Sequence, residues 1–231
     1  MPSIFTTIVP PDEDTSTAAN TRREQMACAV LEHAHKEGAQ LLVFPAGFLR
    51  ARNGDVEASA RTLLAKATDL GVAIIFGIDT DAKSISLDAK HEDHRIAEES
   101  LPYFIVAKSK DDGPYYWRQR SSTSWNGYNI PAGLLAPRSL QVDHLTVDVF
   151  ACGEIFSRPL RDRLESWDDR ILVVPTHTAQ GSRFFRAVEW AQGAGVRAIL
   201  RATHAWSPAT STGSQTEALG QVGGVYVYRW G

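Results

Sequence analysis

Residues 17–38 read TAANTRREQMACAVLEHAHKEG and run directly into AQLLVFP at residues 39–45. In the first stretch Met26, Val30 and Ala34 fall on one helical row with Ala27 and Leu31 beside them, and Gly38 supplies the stop. The second stretch is short, apolar and without clean alternation, which is how a strand covered on both faces reads. A helix that hands the chain to such a strand is half of a strand-helix-strand unit, and the class it indicates is α/β.

The same order recurs on either side. EASARTLLAKATDLG (57–71) precedes VAIIFGI (72–78), and SRFFRAVEWAQGAG (182–195) precedes VRAILRA (196–202). Further β-prone runs of strand length lie at 3–9 (SIFTTIV), 103–108 (YFIVAK), 145–152 (LTVDVFAC), 170–175 (RILVVP) and 225–230 (VYVYRW). Residues 79–100 are polar and charged with no sustained period, and are expected to form a solvated loop between adjacent strands. The chain is therefore read as one domain over residues 1–231.

Composition narrows the function classes. The chain carries 24 Lys and Arg against 27 Asp and Glu, a net charge of −3, so the basic field that holds proteins on nucleic acid is missing and no nucleic-acid partner is expected. Apolar residues make up 43%, enough for a packed core. No apolar run approaches the roughly 20 residues of a membrane helix. Residues 1–15 also lack the basic and apolar regions of a signal peptide, so a cytoplasmic protein without a membrane partner is expected. Cys28 and Cys152 are too far apart in sequence for a disulfide framework or a metal-ligand motif, and each is read as a single thiol.

Ligands in α/β sheets gather beyond the carboxyl ends of the strands. Residues just past the expected strands include Pro45, Ala46 and Gly47; Arg118, Gln119 and Arg120; Cys152, Gly153 and Glu154; His177; and His204. Cys152, at a strand end and followed by a small residue and a carboxylate, has the setting of a nucleophile, or else packs as a small buried hydrophobe. Cys28 lies on the apolar side of its helix and is assigned to packing. His177 and His204 could each take a proton or orient a substrate, or simply close a loop. Arg118 and Arg120, flanking Gln119, suit an anionic group or mark a solvated strand end. HEDH (91–94) has the wrong spacing for metal ligands on one helical face. No metal is therefore expected, and because the glycines of FGI and LGQVGGVYV do not open a helix after a strand, no nucleotide cofactor is expected either. Ser157 and Ser182 lack the G-x-S-x-G setting of a serine hydrolase.

Taken in order, these segments resemble the nitrilase, or carbon-nitrogen hydrolase, superfamily over nearly the whole chain. Residues 20–45 are similar to its first helix and second strand, YYWRQR (115–120) to the segment that usually carries a lysine, and VDVFACGEIF (147–156) to its nucleophile strand and elbow. RFFRAVEWAQGAGVRAILRAT (183–203) is similar to its late helix and strand, and STGSQTEALGQVGGVYVY (211–228) to its terminal turn and closing strand.

The resemblance implies a four-layer α-β-β-α sandwich, association into homodimers or larger assemblies, and a glutamate base, a lysine and a cysteine acting together on an amide or nitrile. Cys152 matches the cysteine, with Gly153 and Glu154 as the elbow. The family's F-P-E reads Phe44, Pro45, Ala46, and the lysine segment reads Trp117, Arg118, Gln119. Three readings follow. One is a divergent hydrolase or acyl-transfer enzyme in which Cys152 attacks a small amide, nitrile or carboxylate while His177 or His204 replaces the base and Arg118 or Arg120 the cation; Gln119, Glu154 and His177 are its other candidate substrate contacts. Another is a catalytically silent relative that binds a small molecule or a protein. The third is an unrelated α/β protein with two packing cysteines.

Overall fold

A computed structural model describes residues 3–51, 55–80, 103–120, 135–162, 170–178, 181–206 and 216–231, with the side chains of 181–183 left out. The sequence HEDH (91–94) lies outside the described residues.

Twelve strands are ordered among the described residues: β1 (Ile4–Val9), β2 (Leu41–Val43), β3 (Leu49–Ala51), β4 (Ala73–Thr80), β5 (Tyr103–Lys108), β6 (Tyr115–Arg118), β7 (Ser139–Val142), β8 (Leu145–Val149), β9 (Ile171–Thr176), β10 (Ala198–His204), β11 (Glu217–Val222) and β12 (Val225–Trp230). The helices are α1 (Thr17–Lys36), α2 (Val56–Leu70), the single turn α3 (Arg158–Arg161) and α4 (Gly181–Gly193), with a 3₁₀ turn at Cys152–Phe156. Local chemistry starts the long helices: the Ser16 hydroxyl accepts the Ala19 N–H at 3.1 Å, and the Asp55 carboxylate accepts that of Ala58 at 2.8 Å.

All eight strands expected from apolar runs form, and β3, β6, β7 and β11 join them. Each of these four is six residues or fewer and carries polar or exposed positions, so none produces a long apolar run. β4 runs two residues past the expected boundary, so Asp79 and Thr80 belong to the sheet rather than to a solvated loop; Asp79 pairs with Tyr103 of β5 and Arg50 of β3.

The strands follow the order β6-β5-β4-β2-β1-β10-β9-β8-β7. β1 is the branch point: Ile4 to Thr6 pair with β2 in parallel, and Ile8 and Val9 pair with Thr203 and His204 of β10. Its other edge pairs antiparallel with β12 from Ile4 to Ile8. Two half-sheets therefore diverge from one strand.

Alternation along the strands builds three layers of apolar packing. Ala73 and Ile75 of β4 join Ile171 and Val173 of β9 in a cluster between the half-sheets. Ile74, Phe76 and Ile78 face α1 and α2, through Ala27, Val30, Leu31 and Leu63. Leu172 and Val174 face α4, through Phe184, Ala187 and Ala191. The result is an α/β sandwich with helices outside and strands inside, as expected. Met26 and Cys28 pack at the margin of the α1–α2 cluster, and burial pushes the Cys28 thiol up. No helix among the described residues is long and apolar enough to cross a membrane.

Candidate active site

β1, β2, β4, β8, β9 and β10 run parallel to their neighbours within this set, so their carboxyl ends share one rim. That rim gathers the Pro45–Gly47 turn after β2, Asp79 in β4, Cys152 after β8, His177 after β9 and His204 at the end of β10.

Cys152 sits in the left-handed region with φ of 40°. A non-glycine residue there costs on the order of 1–3 kcal/mol, and such strain concentrates at functional sites. Glu154 holds the elbow in this shape. Its N–H donates to Ala151 O at 2.9 Å while its carboxylate accepts the Ala151 N–H at 3.1 Å, closing the turn from both sides. The same carboxylate accepts the Arg120 N–H at 2.6 Å, Arg120 Nε at 3.1 Å and Arg120 Nη2 at 3.2 Å. Arg138 Nη1 adds a contact at 3.4 Å. Burial alone would raise the Glu154 pKa, but Arg120 and Arg138 outweigh it and hold the carboxyl below its usual range.

The sulfur meets a second charged pair. His177 Nε2 lies 3.0 Å from Asp79 Oδ1, and the imidazole also hydrogen-bonds Cys152. Burial works against charging this ring, yet the bonds to Asp79 and Cys152 prevail and lift its pKa to about 10. Tyr103 packs on His177 with ring centroids 4.6 Å apart. Burial, followed by the charges of Asp79 and Cys152, raises the Tyr103 phenol.

Two glycines let the chain close around this pair. A Cβ on Gly77 would stand 2.4 Å from Ala46 Cα and 2.4 Å from Gly47 N, so β4 can pass the turn only without a side chain. Gly47 has φ of 65°, and a Cβ there would meet Asp79 Oδ2 at 2.7 Å and His177 Cδ2 at 2.8 Å. His204 Nε2 approaches Ala46 O at 3.1 Å. Because a carbonyl oxygen only accepts, Nε2 carries the hydrogen and Nδ1 is left as an acceptor. Burial, then repulsion from His177, lowers the His204 pKa to about 4, so the ring is neutral.

No family model matches the chain, and no curated protein matches it by sequence. Solved structures do match. NitN amidase from Nesterenkonia sp. AN1 superposes with a TM-score of 0.63 at 13% identity, covering 100% of this chain and 93% of that one. A cysteine-to-serine variant of Nesterenkonia AN1 amidase, from the nitrilase superfamily, gives 0.62 at 12% identity over 100% and 92%. A form of the Nesterenkonia sp. AN1 amidase with the acetamide moiety of fluoroacetamide attached at its active-site cysteine gives 0.63 at 13% over 99% and 90%. The chain shares the fold of these amidases.

Within this fold the expected residues part company. Cys152 and His177 meet. Arg120 and Glu154, expected as substrate contacts, instead bond each other, with side chains 1% and 0% exposed. Arg118 lays its guanidinium over the Phe104 ring, 5.0 Å from the centroid, and Gln119 is buried, its N–H donating to Tyr103 O at 2.8 Å. Asp79 and Tyr103 complete the site without having been singled out as chemical groups, and Gly47 stands just past β2, where the strand-end reading put it. Asp79 was legible as the first residue after VAIIFGI, the same strand-end position that marks Cys152 and His177.

Proposed function

We propose that the chain is a cysteine-dependent hydrolase or acyl-transfer enzyme for the carbon-nitrogen bond of small amides, working through Cys152, His177 and Asp79 rather than through a glutamate and a lysine. The observation that supports this reading most is the continuous hydrogen-bonded series from Asp79 through His177 to Cys152 at the ends of β4, β9 and β8. A nucleophile, a base beside it and a third group orienting the base make up the general pattern of covalent catalysis.

The chemistry follows from the proton positions. The Cys152 proton passes to His177, and the thiolate attacks the amide carbon, placing negative charge on the carbonyl oxygen. The imidazolium then gives its proton to the departing nitrogen as the C–N bond breaks, leaving an acyl thioester and a free amine or ammonia. A water loses its proton to His177 and attacks the thioester; collapse releases the acid and returns the proton to sulfur. An amine in place of that water gives acyl transfer. Asp79 keeps His177 oriented and stabilises its charged form.

The test is ammonia release from short aliphatic amides together with intact-mass analysis after fluoroacetamide treatment. A single adduct on Cys152 that disappears in Cys152→Ala, with turnover abolished in the same variant, is the expected result. Absence of both adduct and turnover would leave the catalytically silent, small-molecule-binding reading.

A further inference from the structure

When a thiolate attacks an amide, negative charge gathers on the carbonyl oxygen, and a hydrogen-bond donor aimed at that oxygen is commonly the largest single aid to the step. The arginines of β6 and its end do not supply one. Arg120 is bound to Glu154. Arg118 pairs with Phe104 across β5 and β6 and lies over its ring, and Phe104 belongs to the cluster facing α1 and α2, whereas Cys152 packs on the cluster between the half-sheets.

A donor stands on the inner face instead. Leu49, Ile78 and Phe104 all belong to the outer cluster, so strand alternation turns the residues beside them, Arg50, Asp79 and Tyr103, inward. Arg50 pairs with Asp79 and Asp79 with Tyr103, which makes the three one row across β3, β4 and β5 at the rim. His177, from the opposite half-sheet, meets this row twice: Nε2 lies 3.0 Å from Asp79 Oδ1, and its ring centroid lies 4.6 Å from that of Tyr103. The same imidazole bonds the Cys152 sulfur, so Tyr103 and the thiol touch one ring between them.

The Tyr103 hydroxyl is uncommitted. The residue is half-buried, and among the described residues no hydrogen bond engages that oxygen and nothing seals it from solvent. Burial foremost, then the charges of Asp79 and Cys152, raise the phenol, and Arg50 draws it down by less, so at neutral pH the proton is in place. Arg50 also sets one positive charge against Asp79, which leaves the row neutral before His177 is counted. We propose that the Tyr103 hydroxyl donates to the oxyanion formed when Cys152 attacks, a role that rests on the thiol chemistry proposed above. As the C–S bond forms, the carbonyl π pair moves onto oxygen, which accepts from Tyr103. As the C–N bond breaks, the pair returns and His177 supplies the proton to nitrogen; the tyrosine keeps its own proton throughout.

Isobutyraldehyde labelled with ¹³C at the carbonyl tests this without turnover, because Cys152 adds S–H across the C=O bond and the hemithioacetal carbon has its own NMR signal. Tyr103→Phe keeps the ring against His177 and removes only the hydroxyl. It should weaken the hemithioacetal at least about tenfold, the loss of one hydrogen bond. It should also lower kcat for isobutyramide by about 10²- to 10³-fold with KM little changed. Alkylation of Cys152 by iodoacetamide, which displaces iodide without placing charge on the carbonyl oxygen, should keep its rate and pH profile. Unchanged aldehyde affinity in Tyr103→Phe, or a larger loss in Arg50→Gln, would overturn the assignment. Alkylation that slows as much as the aldehyde weakens would overturn it too, by making the tyrosine a support for His177 alone. A parent chain that forms a Tyr103-dependent hemithioacetal but releases no ammonia sinks the hydrolase reading and supports the donor; no aldehyde adduct in the parent chain overturns both.

Discussion

Two carboxylate-cation pairs lie on either side of Cys152 and differ in one respect that sorts their roles. Glu154 and Arg120 are sealed, 0% and 1% exposed; three hydrogen bonds join them, Glu154 also accepts the Ala151 N–H and Arg120 donates to Ala136 O. Asp79 and His177 are 13% and 25% exposed and leave the imidazole in contact with a sulfur. A sealed ionic pair holds shape, because any charge left unpaired there cannot reach water. A pair open at one edge can exchange a proton and admit a substrate. Two ion pairs are thus divided by access to solvent into one that keeps the elbow bent and one to which the proposed function assigns the chemistry.

The comparison can be broken most severely at the open pair. His177→Ala should lower amide turnover by about 10²- to 10⁴-fold, measured by ammonia release. Asp79→Asn should follow the same pattern and also move the alkaline limb of the activity profile to lower pH. The sign follows from the shift: Asp79 holds His177 protonated up to about pH 10, and an amide cannot. At the sealed pair the effect falls on folding. Glu154→Gln leaves Arg120 buried without its counter-charge and should destabilise the fold by about 3–5 kcal/mol in urea unfolding.

Gly47→Ala tests the contact that seats the turn on Asp79 and His177. The left-handed backbone and a Cβ 2.7 Å from Asp79 Oδ2 predict a stability loss of about 1–3 kcal/mol, accompanied by slower turnover. Stability should also depend on pH, with two histidines acting in different windows. His177 has a folded pKa raised from 6.5 to about 10, so its stabilisation is complete below 6.5 and fades as pH climbs through 10. His204 has a folded pKa lowered from 6.5 to about 4; the unfolded chain binds more protons between these values, and stability falls as pH drops through them. His204→Gln should flatten the acid window and leave the alkaline one, as followed by chemical unfolding across pH.

The parts of this molecule that could be read in advance are those whose signal is local. The α1 stripe, Gly38 after it, and eight apolar strands all depend on neighbours within one element, and they form where the periodicity puts them. Cys152 and His177 were visible because each follows an apolar run. Asp79 was lost by a boundary: the run VAIIFGI ends at 78, the strand does not, and the polar side chain at its last turn looked like the start of a loop. The pairing of Arg120 with Glu154 is invisible in the sequence for a different reason. They are 34 residues apart, and nothing in either segment says that both will be withdrawn from water and joined.

Sequence alone determined the alternation of helices and strands, the thiol at a strand end and the absence of a basic field, because each is a property of composition or of spacing along one element. Tertiary structure decided which charges meet. Strands β4, β8 and β9 bring Asp79, Cys152 and His177 to one rim from positions up to 98 residues apart, and burial then selects which ion pair stays accessible. Pairing and desolvation are set by distance through space and access to water, and neither quantity is written along the chain.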